Sequence, residues 1–218
     1  MSSGVSLQNA APLGKRSLCT ACQRPFATCF CSWVQRVVSP IELLILQHPQ
    51  EAAQTKGTAR LLHACLPNSQ LAVGEAFDLA VLEPLLRGAS PRKTVLLYPP
   101  TPDCAAKGIA PPPALNPDWI AQPADLRLVV LDASWRKSRK MLYLNHSLQA
   151  LPRLVLNPAF VRPSRYFIRK AQQAGQLSTL EAACAALAQL ENNAAKYAPV
   201  LAAFDAFVAQ QMARVPRE

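Results

Sequence analysis

The segment that decides the fold is LVVLDASWRKSRKM, residues 128–141. Its first residues are apolar without polar alternation. Such a run suits a strand covered on both faces, as in a parallel α/β sheet. The strand ends in Asp132, and Trp135 follows three residues later. In open α/β sheets ligands bind just beyond the carboxyl ends of the strands. Asp132 and Trp135 therefore stand where a site belongs. The cations that follow, Arg136, Lys137, Arg139 and Lys140, can hold phosphates there. A plainer reading uses the same residues: Asp132 caps a helix, Trp135 fills core, and the basic run is a solvated face. The segment alone leaves both open.

Outward from it, similar apolar runs predict strands at IELLIL (41–46), KTVLLY (93–98) and RLVLN (153–157), with a shorter one at RYFI (165–168). Helical periodicity lies between and after them. TARLLHACL (58–66) places Leu61, Leu62 and Cys65 on one side. Leu180, Ala183, Cys184, Leu187 and Leu190 follow a 3.6-residue period. A further helix is predicted from about Pro199 to Ala213. Strand–helix alternation argues an α/β domain, and 218 residues suffice for one with a small appendage. The expected organisation is a disordered arm over 1–16, a cysteine module over 17–39 and the α/β domain over 40–218. The proline-rich stretch 97–119 reads as an extended surface loop.

Lys and Arg total 23 against 13 Asp and Glu, a net charge of +10. That balance favours a polyanionic partner, nucleic acid first. No apolar run fits a signal peptide or a membrane span. A cytosolic protein without membrane attachment is expected. Thiols stay reduced there, so the cluster CTACQRPFATCFC, Cys19 to Cys31, reads as metal-binding before it reads as disulfides. Its spacing is C-x2-C-x6-C-x-C. Cys19 and Cys22 form a knuckle, and Cys29 and Cys31 supply the second pair. Four thiolates suit a closed, structural zinc site. The alternative is four buried or redox-active thiols without metal. Cys65, Cys104 and Cys184 are isolated; Cys65 and Cys184 lie in apolar helical patterns and read as core.

Several of these segments together resemble one family. D-A-S-W, Asp132 to Trp135, is similar to the D-x-T-W signature of the DTW-domain proteins, with Ser134 where threonine is usual. The cysteine pattern resembles the family's N-terminal zinc motif. QHPQEAAQTKGTARLL (47–62) resembles its H-P-x-E…K-x-T-x-R/G-L-L segment, LLYP (96–99) its strand-end loop, and GQLSTLEA (175–182) its L-S-T-x-E-A motif. Together these span roughly residues 19 to 190. The family includes the tRNA-uridine aminocarboxypropyltransferases, bacterial members among them.

The resemblance implies a SPOUT-like α/β sheet with a C-terminal trefoil knot. It implies transfer of the 3-amino-3-carboxypropyl arm of S-adenosylmethionine to N3 of a tRNA uridine, releasing 5′-methylthioadenosine. The variable loop is the implied target, with the D-loop as the alternative. Carried over residue by residue, the cofactor loops are Leu97, Tyr98 and Pro99; Asp132 and Trp135; and Leu177, Ser178, Thr179 and Glu181. Uridine N3 is a poor nucleophile until its proton leaves, and Asp132 is the candidate base. Its other possible task is to bind the cofactor's ammonium or sulfonium. Trp135 packs the pocket or stacks on a base. Ser178 to Glu181 also satisfies the capping-box pattern, and a capped helix start offers N–H groups to an anion. His63 is a lone histidine; His48, before Pro49 at a strand end, reads as structural, with lining of the site as the alternative. The expected tRNA surface is Arg136, Lys137, Arg139 and Lys140 with Arg162, Arg165, Arg169 and Lys170. A monomer is expected, with a dimer left open.

Three other readings compete. A SPOUT-like RNA methyltransferase would release S-adenosylhomocysteine instead. A zinc-dependent RNA-binding protein without catalysis would bind tRNA with no need of Asp132. A structural zinc protein, its charge serving only solubility, would show no salt-sensitive tRNA binding.

Overall fold

The structure is a computed structural model and describes residues 17–100, 111–165 and 176–214. Five strands, β1 (Glu42–Gln47), β2 (Ser69–Val73), β3 (Lys93–Leu97), β4 (Leu126–Asp132) and β5 (Arg153–Leu154), form one sheet in the order β2-β1-β4-β3-β5. Every pairing is parallel. The helices are α1 (Pro49–Ala52), α2 (Ala59–Cys65), α3 (Leu79–Arg87), α4 (Pro117–Ile120), α5 (Trp135–Leu144), α6 (His146–Gln149), α7 (Thr179–Leu190) and α8 (Ala198–Met212).

Because side chains alternate across a strand, each apolar run feeds two cores. Leu43 and Ile45 of β1, Leu128 and Val130 of β4 and Val95 of β3 pack with α2, α7 and α8. Leu44, Leu46, Val129 and Leu96 face the other way, onto Leu82 of α3, Met141 and Leu142 of α5 and Leu148 of α6. This is why the central runs carry no polar alternation: both faces are covered.

The predicted strands at 41–46, 93–98 and 127–133 are present within a residue or two. RLVLN is a correction. Its strand is two residues long, because Asn157 accepts from the backbone N–H of Ala159 and opens a turn at Pro158. Strand β2 was not expected; it is an edge strand with half-exposed residues and no continuous apolar signature. RYFI falls almost wholly outside the described residues, as do 1–16 and Cys104. Of the proline-rich stretch, 111–116 is irregular and Pro117–Ile120 forms one helical turn, capped by Asn116.

The cysteine module shares the main core. Phe30 is 1% exposed and meets Phe207 of α8 edge-on, centroids 6.5 Å apart. The Arg24 guanidinium lies 5.1 Å from the Phe30 ring and 5.0 Å from the Phe207 ring. Truncating a buried phenylalanine costs about 3–5 kcal/mol. We expect that loss for Phe30→Ala in denaturant unfolding, and an unchanged midpoint would show that the module does not support the fold. No helix among the described residues is long and apolar enough to cross a membrane.

Candidate active site and metal centre

In a parallel sheet all strands end on one side. Gln47 of β1 stands in register with Asp132 of β4, with Leu97 of β3 on the other side of β4. Asp132 is 6% exposed, and its donors among the described residues include Gln47 and Thr179. Gln47 Nε2 donates to Oδ2 at 2.8 Å, and Thr179 Oγ1 donates to Oδ1 at 2.6 Å. The second bond ties the start of α7 to the end of β4. The L-S-T-x-E-A and D-A-S-W segments, 47 residues apart at these two side chains, thus meet directly.

The third loop joins through aromatic contact. Tyr98, buried, meets Trp135 at 6.2 Å between centroids and 76° between planes. Trp135 itself is 42% exposed. Its face is therefore not consumed by core packing, contrary to the plainer reading of that residue. Leu97 and Leu177 are half-buried and Pro99 is exposed at the rim.

Ser178 and Glu181 form the expected capping box. The Glu181 carboxylate, buried, accepts from Ser178 N and Oγ, Ser164 Oγ and Arg165 N, all at 2.8–2.9 Å. So many donors make Glu181 a clamp that holds the 164–165 backbone to the start of α7.

The basic residues divide. Lys137 pairs with buried Glu51 at 3.0 Å and Lys140 with Glu75 at 2.7 Å, while Arg136 and Arg139 are exposed. Arg162 and Arg165 converge on Asp205 of α8, at 2.9 and 3.2 Å. Arg169 and Lys170 lie outside the described residues. Much of the expected phosphate surface is thus also structural cross-linking. Lys140 and then His48 hold the Glu75 carboxyl below the usual carboxylate range. His48 has the structural role expected of it. Its Nδ1 accepts from Gln50 N at 3.1 Å and caps α1, so the proton sits on Nε2, 2.9 Å from Glu75. His63 likewise bonds a neighbour, Ser69 Oγ, at 2.7 Å.

At the N-terminus Cys19, Cys22, Cys29 and Cys31 bring their four sulfurs within 4.8 Å of one another. Cys19–Cys31 and Cys22–Cys29 are each separated by 3.7 Å. A tetrahedron with Zn–S bonds of about 2.3 Å has edges of about 3.8 Å. The donor set therefore fits one zinc ion. The knuckle closes through Gln23 N to Cys19 O, with Gln23 at φ 58°. Backbone N–H groups of Cys22 and Ala21 hold the Cys19 thiol down to about 6, whereas burial pushes Cys31 up. Cys65 and Cys184 are buried, as expected of core thiols.

Gln47 is the site residue that sequence reasoning missed. A polar residue ending an apolar run reads as the strand's last position, and only the β1–β4 register places it against Asp132.

Residues 16–212 match the DTW domain. The chain belongs to the DTW domain family. Its relatives include the Mus musculus protein named tRNA-uridine aminocarboxypropyltransferase 2, 31% identical over 185 residues, covering 82% of this chain and 58% of the relative. The Drosophila melanogaster protein of the same name is 30% identical over 192 residues, 84% of this chain and 70% of the relative. Arabidopsis thaliana tRNA-uridine aminocarboxypropyltransferase A is 30% identical over 134 residues, 59% of this chain and 51% of that protein. The chain thus spans under three fifths of the mouse relative's length. No solved structure matches it significantly. Within the DTW family frame, the domain match covers both the cysteine cluster and the Asp132 site.

Proposed function

We propose that this chain transfers the 3-amino-3-carboxypropyl group of S-adenosylmethionine to N3 of a tRNA uridine, in the variable loop, and releases 5′-methylthioadenosine. The names of its DTW relatives support the reaction class. The observation that carries the site is the convergence on Asp132: Thr179 bonded to it and Trp135 set against Tyr98, at the carboxyl ends of β3 and β4. In this reading Leu97–Pro99, Asp132–Trp135 and Leu177–Glu181 enclose the cofactor. Orientation decides which activated carbon reacts, by bringing the arm's γ-carbon rather than the methyl to about 3–3.5 Å from N3. Asp132 takes the N3 proton. Arg136 and Arg139 grip phosphates, which set affinity without choosing the uridine. The four cysteines hold one structural zinc, and the protein works as a cytoplasmic monomer.

The fold of the domain is, in this reading, SPOUT-like with a C-terminal trefoil knot. The support is topological: β5 lies at the sheet edge, yet α7 starts at Asp132 in the sheet's centre.

The test is mass spectrometry of nucleosides from unmodified tRNA after incubation with the protein and S-adenosylmethionine. A uridine heavier by the aminocarboxypropyl group, with methylthioadenosine released, is expected. A methylated base with S-adenosylhomocysteine would make the chain a methyltransferase instead.

A further inference from the structure

Strands β1 and β4 are neighbours, but the chain leaves them in opposite directions. From β1 it runs through α2, whose Leu61 and Leu62 pack on one face of the sheet. From β4 it runs into α5, whose Met141 and Leu142 pack on the other. Adjacent strands that part in this way leave a crevice beyond their carboxyl ends, where α/β sheets bind ligands. Here the crevice ends are Gln47 and Asp132. The cofactor loops named above follow β3 and β4 and open α7. On the β1 side is a separate cleft of about 110 Å³, with Gln47 among its walls. The cysteine knuckle lines it with Gln23, Pro25 and Thr28, the loop after α1 with Gln54, and the start of α2 with Arg60.

The two walls are fixed to each other. Arg24 of the knuckle donates to Thr55 O at 2.6 Å and to Gly57 O at 2.9 Å. A Cβ at Gly57 would stand 3.2 Å from Gln54 O and 3.3 Å from Glu51 O, so the loop is folded as tightly as glycine permits. This gives a use to the segment 47–62, which the catalytic reading leaves without one.

Gln47 gives the cleft its chemistry. An ionised Asp132 only accepts hydrogen bonds, so Nε2 must be the end of the amide that faces it. The remaining atom, Oε1, is buried without a hydrogen-bond partner among the described residues, in a side chain of a residue only 2% exposed. A buried acceptor in that state calls for a donor. A uracil presents one N–H, at N3, between two carbonyls. Cytosine presents a lone pair at N3, which would face Oε1 with like polarity.

We propose that this cleft between the cysteine knuckle and residues 47–60 receives the acceptor uridine, with the Gln47 side chain shifting on binding so that its buried Oε1 accepts the base's N3–H before transfer. The proposal rests on the transfer reading above and adds where the base enters: the acceptor comes from the β1 side of Asp132, through a cleft that none of the cofactor-loop residues lines. Gln47 then selects the imide of uracil against cytosine, and Asp132 stands next to the proton that must leave.

The experiment first locates the modified uridine by mass spectrometry, then places 4-thiouridine there in a tRNA transcript. The transcript is irradiated on the full chain, on Ala53→Trp, which fills the cleft from its exposed rim, and on Gln47→Met. Crosslinks are expected in peptides covering residues 23–28 or 51–60. We expect them to fall at least about tenfold in Ala53→Trp, as does kcat/KM for tRNA, the loss of one well-made polar contact being of that size. Binding of methylthioadenosine, followed by calorimetry, should stay within about twofold of wild type, since none of its loop residues lines the cleft. Gln47→Met should lower turnover of the uridine tRNA by a similar factor. Product formed with crosslinks confined to other segments, or Ala53→Trp turning over like wild type, overturns the cleft alone. Absence of any modified nucleoside overturns the transfer reading and the cleft with it.

Discussion

Stripping zinc from the purified chain with a chelator, or replacing Cys22 by serine, should unfold far more than the first few turns. Structural zinc binding is folding free energy in small modules, about 10–16 kcal/mol in isolated zinc-finger peptides at neutral pH. The knuckle buries Phe30 and Arg24 against Phe207 of α8, and Gln210 of the same helix donates to Ala27 O and Cys29 O. Without the ion, four sulfurs crowded within 4.8 Å lose their reason to stay together, and Phe30 leaves the core with them. A domain's whole stability is about 5–15 kcal/mol, so loss of this anchor alone is a large fraction of it. The expected result is one zinc per chain by metal analysis, and a melting transition that drops by tens of degrees or loses cooperativity on chelation. Cys184→Ala should keep the full zinc content, because Cys184 lies in the core on α7. A purified chain without zinc would sink the metal assignment, and a stripped chain that melts like the untreated one would sink its structural role.

Why the cysteine cluster and the sheet could be read from sequence, while the contacts around Asp132 were read only in part, follows from how far apart the informative residues lie. The strands β1, β3 and β4 declare themselves locally, since a strand buried on both faces must be apolar throughout. The cysteine pairs are likewise local. Strand β2, with half its surface open at the sheet edge, needs no such run and leaves no such signature. Helix α3 carries Pro84 inside it, a residue that argues against a helix wherever it is read in isolation. At the site, Asp132 and the Ser178–Glu181 box were visible as motifs. What positions them was not. Gln47 meets Asp132 across 85 residues, and Lys137 meets Glu51 across 86. A basic run looks the same in sequence whether its charges face solvent or buried carboxylates. Arg136 and Arg139 face solvent here, whereas Lys137 and Lys140 are spent on Glu51 and Glu75.

That division sharpens the other large expectation, for Asp132. Asp132→Asn keeps the side chain's size but turns one oxygen into a donor, facing either the Gln47 amide or the Thr179 hydroxyl. Thr179 can rotate its hydroxyl to accept, so the variant should fold. Asp132→Ala strands both donors and should cost about 1–3 kcal/mol for each one left unsatisfied, which makes asparagine the better probe of chemistry. If Asp132 removes the N3 proton, Asp132→Asn should lose about 10²–10⁴-fold in turnover, the usual worth of a placed general base. Cofactor affinity should barely change. The loss should also shrink as pH rises, because N3 then gives up its proton to solvent without help. If instead Asp132 holds the cofactor's cationic groups, the same variant should weaken S-adenosylmethionine binding, and alkaline pH should rescue nothing. Thr179→Val separates positioning from chemistry. It removes one bond to Asp132, so turnover should fall by about tenfold while the pH dependence keeps its wild-type shape, since the carboxylate remains. Measuring single-turnover rates and cofactor binding for the three chains across pH decides between the two roles. Wild-type turnover in Asp132→Asn would remove Asp132 from both, and would leave its contacts with Gln47 and Thr179 as the link that holds α7 to the sheet.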